Sequence, residues 1–162
     1  MRAVSGSRNS FWLLLFANLA LAACNPVLTA AGQNDESARE PLEILTSSGP
    51  HDFDVEIART PLQRETGLMF RRAMSPQYGM LFIFDSERPI AMWMKNTYIP
   101  LDMVFVSRAG RVVGIVRNAK PMSEDVIPSV RPVYGVIELN AGVADGIALA
   151  VGDRVRHPGF KE

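Results

Sequence analysis

Gly79-Met80-Leu81-Phe82-Ile83-Phe84 is the stretch whose reading decides the fold. Glycine introduces an unbroken apolar run with no polar residue to mark a solvent face. Such a run reads as a central strand covered on both sides. Everything around it has to supply the neighbours and the cover.

On its N-terminal side, Phe53, Val55 and Ile57 alternate with Asp54 and Glu56. Period two is the mark of a half-buried strand. Residues 42–46 can pair with it across Ser47-Ser48-Gly49-Pro50. Thr60-Pro61-Leu62-Gln63 then reads as a helix start, with Thr at the N-cap, Pro at N1 and Gln at N3. Gly67 and the apolar Leu68-Met69-Phe70 keep that helix short. C-terminal to the central run, a polar loop over 85–89 leads to a strand over 90–94. Residues 101–106 and 111–116 flank Ser107-Arg108-Ala109-Gly110, a hairpin turn whose glycine can take positive φ. The segment 117–132, with Pro121, Pro128 and Pro132, reads as loop. Strands follow over 133–139 and 149–155, the latter bent at Gly152-Asp153. Between them Asn140 is placed to cap a helical turn ending near Gly146. The expected fold is mainly β, a compact β-sandwich-like or partly closed barrel with one or two short helices.

The N-terminus reads as an address. Arg2 and Arg8 precede an apolar segment, Phe11 to Leu21, and the small residues Ala22-Ala23. That is the pattern of a signal peptide, and the apolar run is too short to span a bilayer. Leu21-Ala22-Ala23-Cys24 resembles the lipobox of bacterial lipoproteins, which implies a lipidated Cys24 as the mature N-terminus. Cys24 is the only cysteine, so no disulfide is available. The expected organisation is a signal peptide over 1–23, a flexible tether over 24–41 and one domain over 42–162. The expected location is the periplasm or cell envelope, anchored to membrane by lipid. Removing Arg2 and Arg8 leaves 15 basic against 17 acidic residues, since the whole chain has 17 of each. That balance gives no footprint for nucleic acid.

Motifs for catalysis are absent. Histidine occurs only at 51 and 157, with no H-E-x-x-H, G-x-S-x-G or phosphate-cradling loop. No cofactor or metal site is expected from these features. Methionine is dense, at Met69, Met74, Met80, Met92, Met94 and Met103, with Trp93 inside the stretch. Thioethers suit Cu(I), so soft-metal binding is one alternative. Methionine also fills irregular cores, and in a strand Met92 and Met94 share a face away from Trp93. Packing is therefore the preferred reading.

The other signal is polar. Lys95-Asn96-Thr97 follows the Met-Trp-Met strand, and Asp102 opens the next after Pro100. Asn96 and Thr97 suit a turn, and Lys95 and Asp102 can pair across it. Arg71 and Glu138 sit beside strongly apolar neighbours, where a charge is either on a solvated side or buried and paired. Together Arg71, Lys95, Asn96, Thr97, Asp102 and Glu138 form a candidate ligand-binding cluster, for a small polar ligand or an envelope partner, with Trp93 and Tyr98 as apolar walls. Lys95 and Arg71 suit an anionic or polyol group. A further alternative is a hydrolase-like enzyme using Asp102 or Glu138, for which no nucleophile is evident.

Gly67-Leu68-Met69-Phe70-Arg71, Gly79-Met80-Leu81-Phe82, Trp93-Met94-Lys95-Asn96-Thr97, Pro100-Leu101-Asp102 and Glu138-Leu139-Asn140-Ala141-Gly142 occur in the order and approximate spacing of the domain of unknown function 192 family. The resemblance covers about residues 53–155. It implies a compact β-sandwich-like or barrel-like domain, frequently behind an export signal, and no established activity, substrate or cofactor. The family's recurring polar positions fall on the same six residues.

Overall fold

The computed structural model describes residues 39–161. Cys24, the leader and most of the expected tether lie outside them. The chain forms β1 (Arg39–Thr46), β2 (Gly49–Ala58), α1 (Pro61–Thr66), β3 (Tyr78–Arg88), β4 (Ala91–Met92), β5 (Leu101–Val106), β6 (Val112–Ala119), β7 (Ile127–Pro128), β8 (Val133–Asn140), α2 (Val143–Gly146) and β9 (Arg154–Arg156). Seven strands make one sheet in the order β6-β5-β8-β3-β2-β1-β9, and β4 pairs with β7 in a second, small sheet. All pairings in the large sheet are antiparallel except that of β2 with β3. The apolar run 80–84 is indeed at the centre, with every residue buried.

The large sheet is strongly curled into a half-barrel. Its first and last strands come back together: Arg111 bridges Arg154, and Val155 N–H donates to Gly110 O at 2.8 Å. The concave side holds one core, including Ile44, Val55, Leu81, Val104, Ile137 and Leu139, with Ala144 and Leu149 from the α2 region inserted. Alternate residues of the same strands build a second core on the other face. Met80, Phe82, Leu101, Met103, Phe105 and Val136 pack there under Leu68, Ile90 and Met94. A central strand with no polar face follows directly from these two layers.

Several local expectations hold for their stated reasons. β1 and β2 are joined across Ser47-Ser48, with Gly49 at φ +117°. Thr60 caps α1 in a full capping box with Gln63, and Pro61 opens the helix. Gly110 turns the β5–β6 connection at φ +69°.

Other expectations are corrected. The tether's last residues, 39–41, are already strand; Pro41 is tolerated because β9 pairs only with Glu43, Ile44 and Leu45, leaving Pro41 on an edge. The polar loop at 85–88 continues β3, exposed, after a register shift. The strand over 90–94 shrinks to Ala91–Met92, because its partner β7 is only two residues long. β6 runs on to Ala119 and β7 interrupts the expected loop. Residues 149–153 are not strand, with a turn at Val151-Gly152, so the last strand is β9 alone. Asn140 does not cap α2. It ends β8 and donates to Met74 O and Ser75 O at 3.0 and 3.1 Å, while Gly142 takes the cap position in the left-handed region.

Candidate functional site

The second core is not completely filled. Between the sheet's outer face and its covering segments lies a cavity of about 260 Å³. Phe82, Phe84 and Glu138 form the sheet side. Arg64 to Met69 supply part of the cover, and Ala91, Met92, Trp93, Lys95 and Thr97 the rest.

Glu138 is placed there by register. It lies opposite Met80 of β3 and opposite Met103 of β5, both apolar members of the outer core. The residue is only 4% exposed. Its carboxyl has no hydrogen bond or ion pair among the described residues. Burial away from water disfavours the charged form and pushes its pKa from 4.5 up to about 8. At neutral pH the carboxyl is therefore mostly un-ionised, with one O–H donor and spare acceptor capacity.

The cover is shaped by turns. Gly67 ends α1 at φ +46°, where a Cβ would stand 3.1 Å from the Phe82 ring. That glycine lets the chain fold closely over the cavity. Thr97 N–H donates to Met94 O at 3.1 Å, closing a turn in which Asn96 takes φ +54°. The turn sets Lys95 over Trp93, with Nζ 5.7 Å from the ring centroid. Phe70 and Met122 also have positive φ, 63° and 61°. Phe70 N–H donates to Asn96 O at 2.8 Å, and Met122 N–H donates to Thr97 O at 3.1 Å. Three side-chain-bearing residues in the left-handed region thus meet around one turn at the cavity's edge. Such strain persists only where surrounding structure fixes it, and it concentrates at functional sites.

The six sequence-selected residues divide. Lys95, Thr97 and Glu138 line the cavity. Asn96 builds its rim, with Nδ2 3.9 Å from Met69 Sδ, and the Thr97 hydroxyl donates to Lys95 O at 3.2 Å. Arg71 points elsewhere. It forms a two-point pair with Glu56, at 2.8 and 2.9 Å. Asp102 is also elsewhere and does not pair with Lys95. Its neighbours in β5, Leu101 and Met103, face the outer core, so Asp102 faces inward. There it is 1% exposed, accepting Asn118 N–H at 2.8 Å and Ala144 N–H at 2.9 Å. The first donor is freed where β6 shifts register against β5; the second is at the start of α2. Of the two expected walls, Trp93 is present. Tyr98 is turned outward beyond the 94–97 turn, where it meets the edge of Phe70 and the guanidinium of Arg72.

Sequence reasoning missed Arg64, Phe82, Phe84 and Met92 as lining residues. Arg64 lies over the Phe84 ring at 5.5 Å and donates to Arg59 O and Ile83 O. The alternation of Met80, Phe82 and Phe84 was a visible signal, but only the β3–β8 register shows that Glu138 shares their face. Met94 is fully buried, and with Met80 and Met103 it packs in the outer core. Among the described residues no group of three or more His, Cys, Asp or Glu could hold a metal ion.

The family model DUF192, described as "Uncharacterized ACR", matches residues 43–157. A crystal structure described as a putative transcription regulator from Sinorhizobium meliloti 1021 is 49% identical, with TM-score 0.74, covering 76% of this chain and 97% of its own. A protein of unknown function from Novosphingobium aromaticivorans DSM 12444 is 37% identical, with TM-score 0.72, covering 74% of this chain and 85% of its own. No curated protein matches the chain.

Proposed function

The chain belongs to the DUF192 family, and from that premise we propose that it is an exported lipoprotein whose β-domain binds a small ligand in the cavity over Glu138. The observation that carries the binding reading is a buried residue, Glu138, whose carboxyl has no protein partner among the described residues and which lines an open cavity. Leaving a buried polar group unmade costs stability. A ligand that hydrogen-bonds to Glu138 would recover that cost. The lining suits a molecule with an apolar body against Phe82, Phe84 and Met92 and a polar head.

The description of one relative as a putative transcription regulator finds little support here. The helices among the described residues have six and four residues, too short to serve as a recognition helix in a groove. The soft-metal reading is weakened because Met94 is closed into the core. The hydrolase-like reading is weakened for Asp102, which faces the other side of the sheet and is held by two backbone N–H groups.

Mass spectrometry of small molecules released from protein purified from its own cells tests the binding reading. A compound present in wild type and lost when Glu138→Leu removes the polar floor supports it. Equal recovery from both proteins overturns it. The export reading rests on the Leu21-Ala22-Ala23-Cys24 sequence. Cys24→Ala is expected to release the protein from membranes; a variant still in the membrane fraction after a high-salt wash refutes the anchor.

A further inference from the structure

The charge of the ligand's head can be read from what surrounds Glu138. On β8 itself, Val136 shares its face; β3 presents Met80 and Phe82, and β5 presents Met103, all uncharged. The α1 end brings Arg64 and Glu65, and the 91–97 segment brings Lys95. Glu65 is exposed at the rim. Arg64 is held over Phe84, and its nearest carboxylate, Asp85, lies 3.8 Å away with its side chain 93% exposed. Lys95 has no carboxylate partner among the described residues, and its ammonium sits over Trp93. The charged groups with substantial cover are therefore both cations.

We infer that the cavity takes a small organic monoanion, a carboxylate with a short apolar tail, whose head lies between the Lys95 ammonium and the Glu138 carboxyl. This rests on the cavity being a ligand site. A cationic ligand has two obstacles. The aromatic face that would hold it already carries the Lys95 ammonium, and Glu138 would have to lose its proton in a desolvated place. A carboxylate meets the opposite situation. Un-ionised Glu138 donates its O–H to one ligand oxygen, a strong charge-assisted bond. Lys95 neutralises the head from the rim. The ligand then binds together with a proton on Glu138, and ionisation of Glu138 sets anion against anion. Affinity is expected to fall about tenfold per pH unit as pH rises above the free value of about 8, and to level off above the higher pH at which Glu138 ionises in the complex.

Calorimetric titration of the full chain with hexanoate, hexylamine and hexanol, which share one tail and differ in the head, tests this. Hexanoate is expected to bind most tightly at pH 7 and to weaken at high pH. Lys95→Met is expected to weaken hexanoate at least tenfold and to leave hexanol unchanged. Glu138→Gln keeps an N–H donor without a titrating proton, so it should still bind hexanoate and lose the pH dependence. Tighter binding of hexylamine or hexanol than hexanoate overturns the anion assignment while leaving the cavity as a ligand site. An unchanged pH profile in Glu138→Gln overturns the proton linkage. Failure of all three probes to bind overturns both this inference and the binding function beneath it.

Discussion

Asp102 and Glu138 lie on neighbouring strands, one step apart in register, yet face opposite sides of the sheet: Asp102 stands opposite Leu139, and Glu138 opposite Met103. Their chemistry diverges accordingly. Asp102 is buried with two backbone N–H donors; Glu138 is buried with none among the described residues. Asp102→Ala should therefore destabilise the domain by about 3 kcal/mol, the loss of two hydrogen bonds to a charged acceptor and two orphaned donors. Urea unfolding midpoints measure this. A loss under about 1 kcal/mol would show that α2 and the β6 irregularity do not depend on Asp102.

Glu138 makes stability depend on pH with a definite sign. Its folded pKa, about 8, is above the unfolded 4.5, so between those values the folded state holds a proton that the unfolded state has released. Its contribution is fully present below about 4.5 and is lost as pH rises through about 8. Glu138→Gln should flatten that fall, and it should be more stable than wild type near pH 8 by a few kcal/mol. Parallel thermal or urea unfolding series of both proteins from pH 5 to 9 reads the difference. Parallel curves would mean that Glu138 is not desolvated as described.

Phe82 and Asp54 are paired probes of the sheet. Phe82 is 2% exposed in the outer core, whereas Asp54 is exposed on β2. Phe82→Ala should cost about 3–5 kcal/mol through lost burial and an enlarged cavity. Asp54→Ala should change stability by under about 0.5 kcal/mol. Comparable losses in chemical denaturation would contradict the two-layer packing.

Met92 and Met94 separate packing from metal binding. Replacing both with Leu conserves volume and should cost under about 1.5 kcal/mol per site, with the fold intact by circular dichroism. Cu(I) competition titration of wild type and the double variant supplies the other readout. Sub-micromolar Cu(I) binding, lost in the variant, would restore the soft-metal reading.

Short-range chemistry was legible in the residues themselves. The Thr60-Pro61-Gln63 start of α1, the glycine turn at 110, the hairpin of β1 and β2 and the apolar centre of β3 each depend on neighbours a few positions apart. Their capping, φ and periodicity preferences are local, so the amino-acid order determines them. Lys95, Thr97 and Glu138 could be singled out from their neighbours in sequence, but only the fold puts them around one cavity. What the sequence could not determine was which distant residues meet. The sequence offers Asp102 as a partner for Lys95 across the turn, and Glu138 as a charge beside apolar neighbours, so the two fall into one cluster. Only the β5–β8 register puts one inside the curl, on the backbone of α2, and the other outside, under Trp93. Arg71 was grouped with them too, and the fold gives it to Glu56 instead. Side-chain direction in a strand reverses at every residue, so a one-step difference in pairing decides whether a carboxyl becomes a helix cap or the floor of a cavity. That decision belongs to the tertiary structure alone.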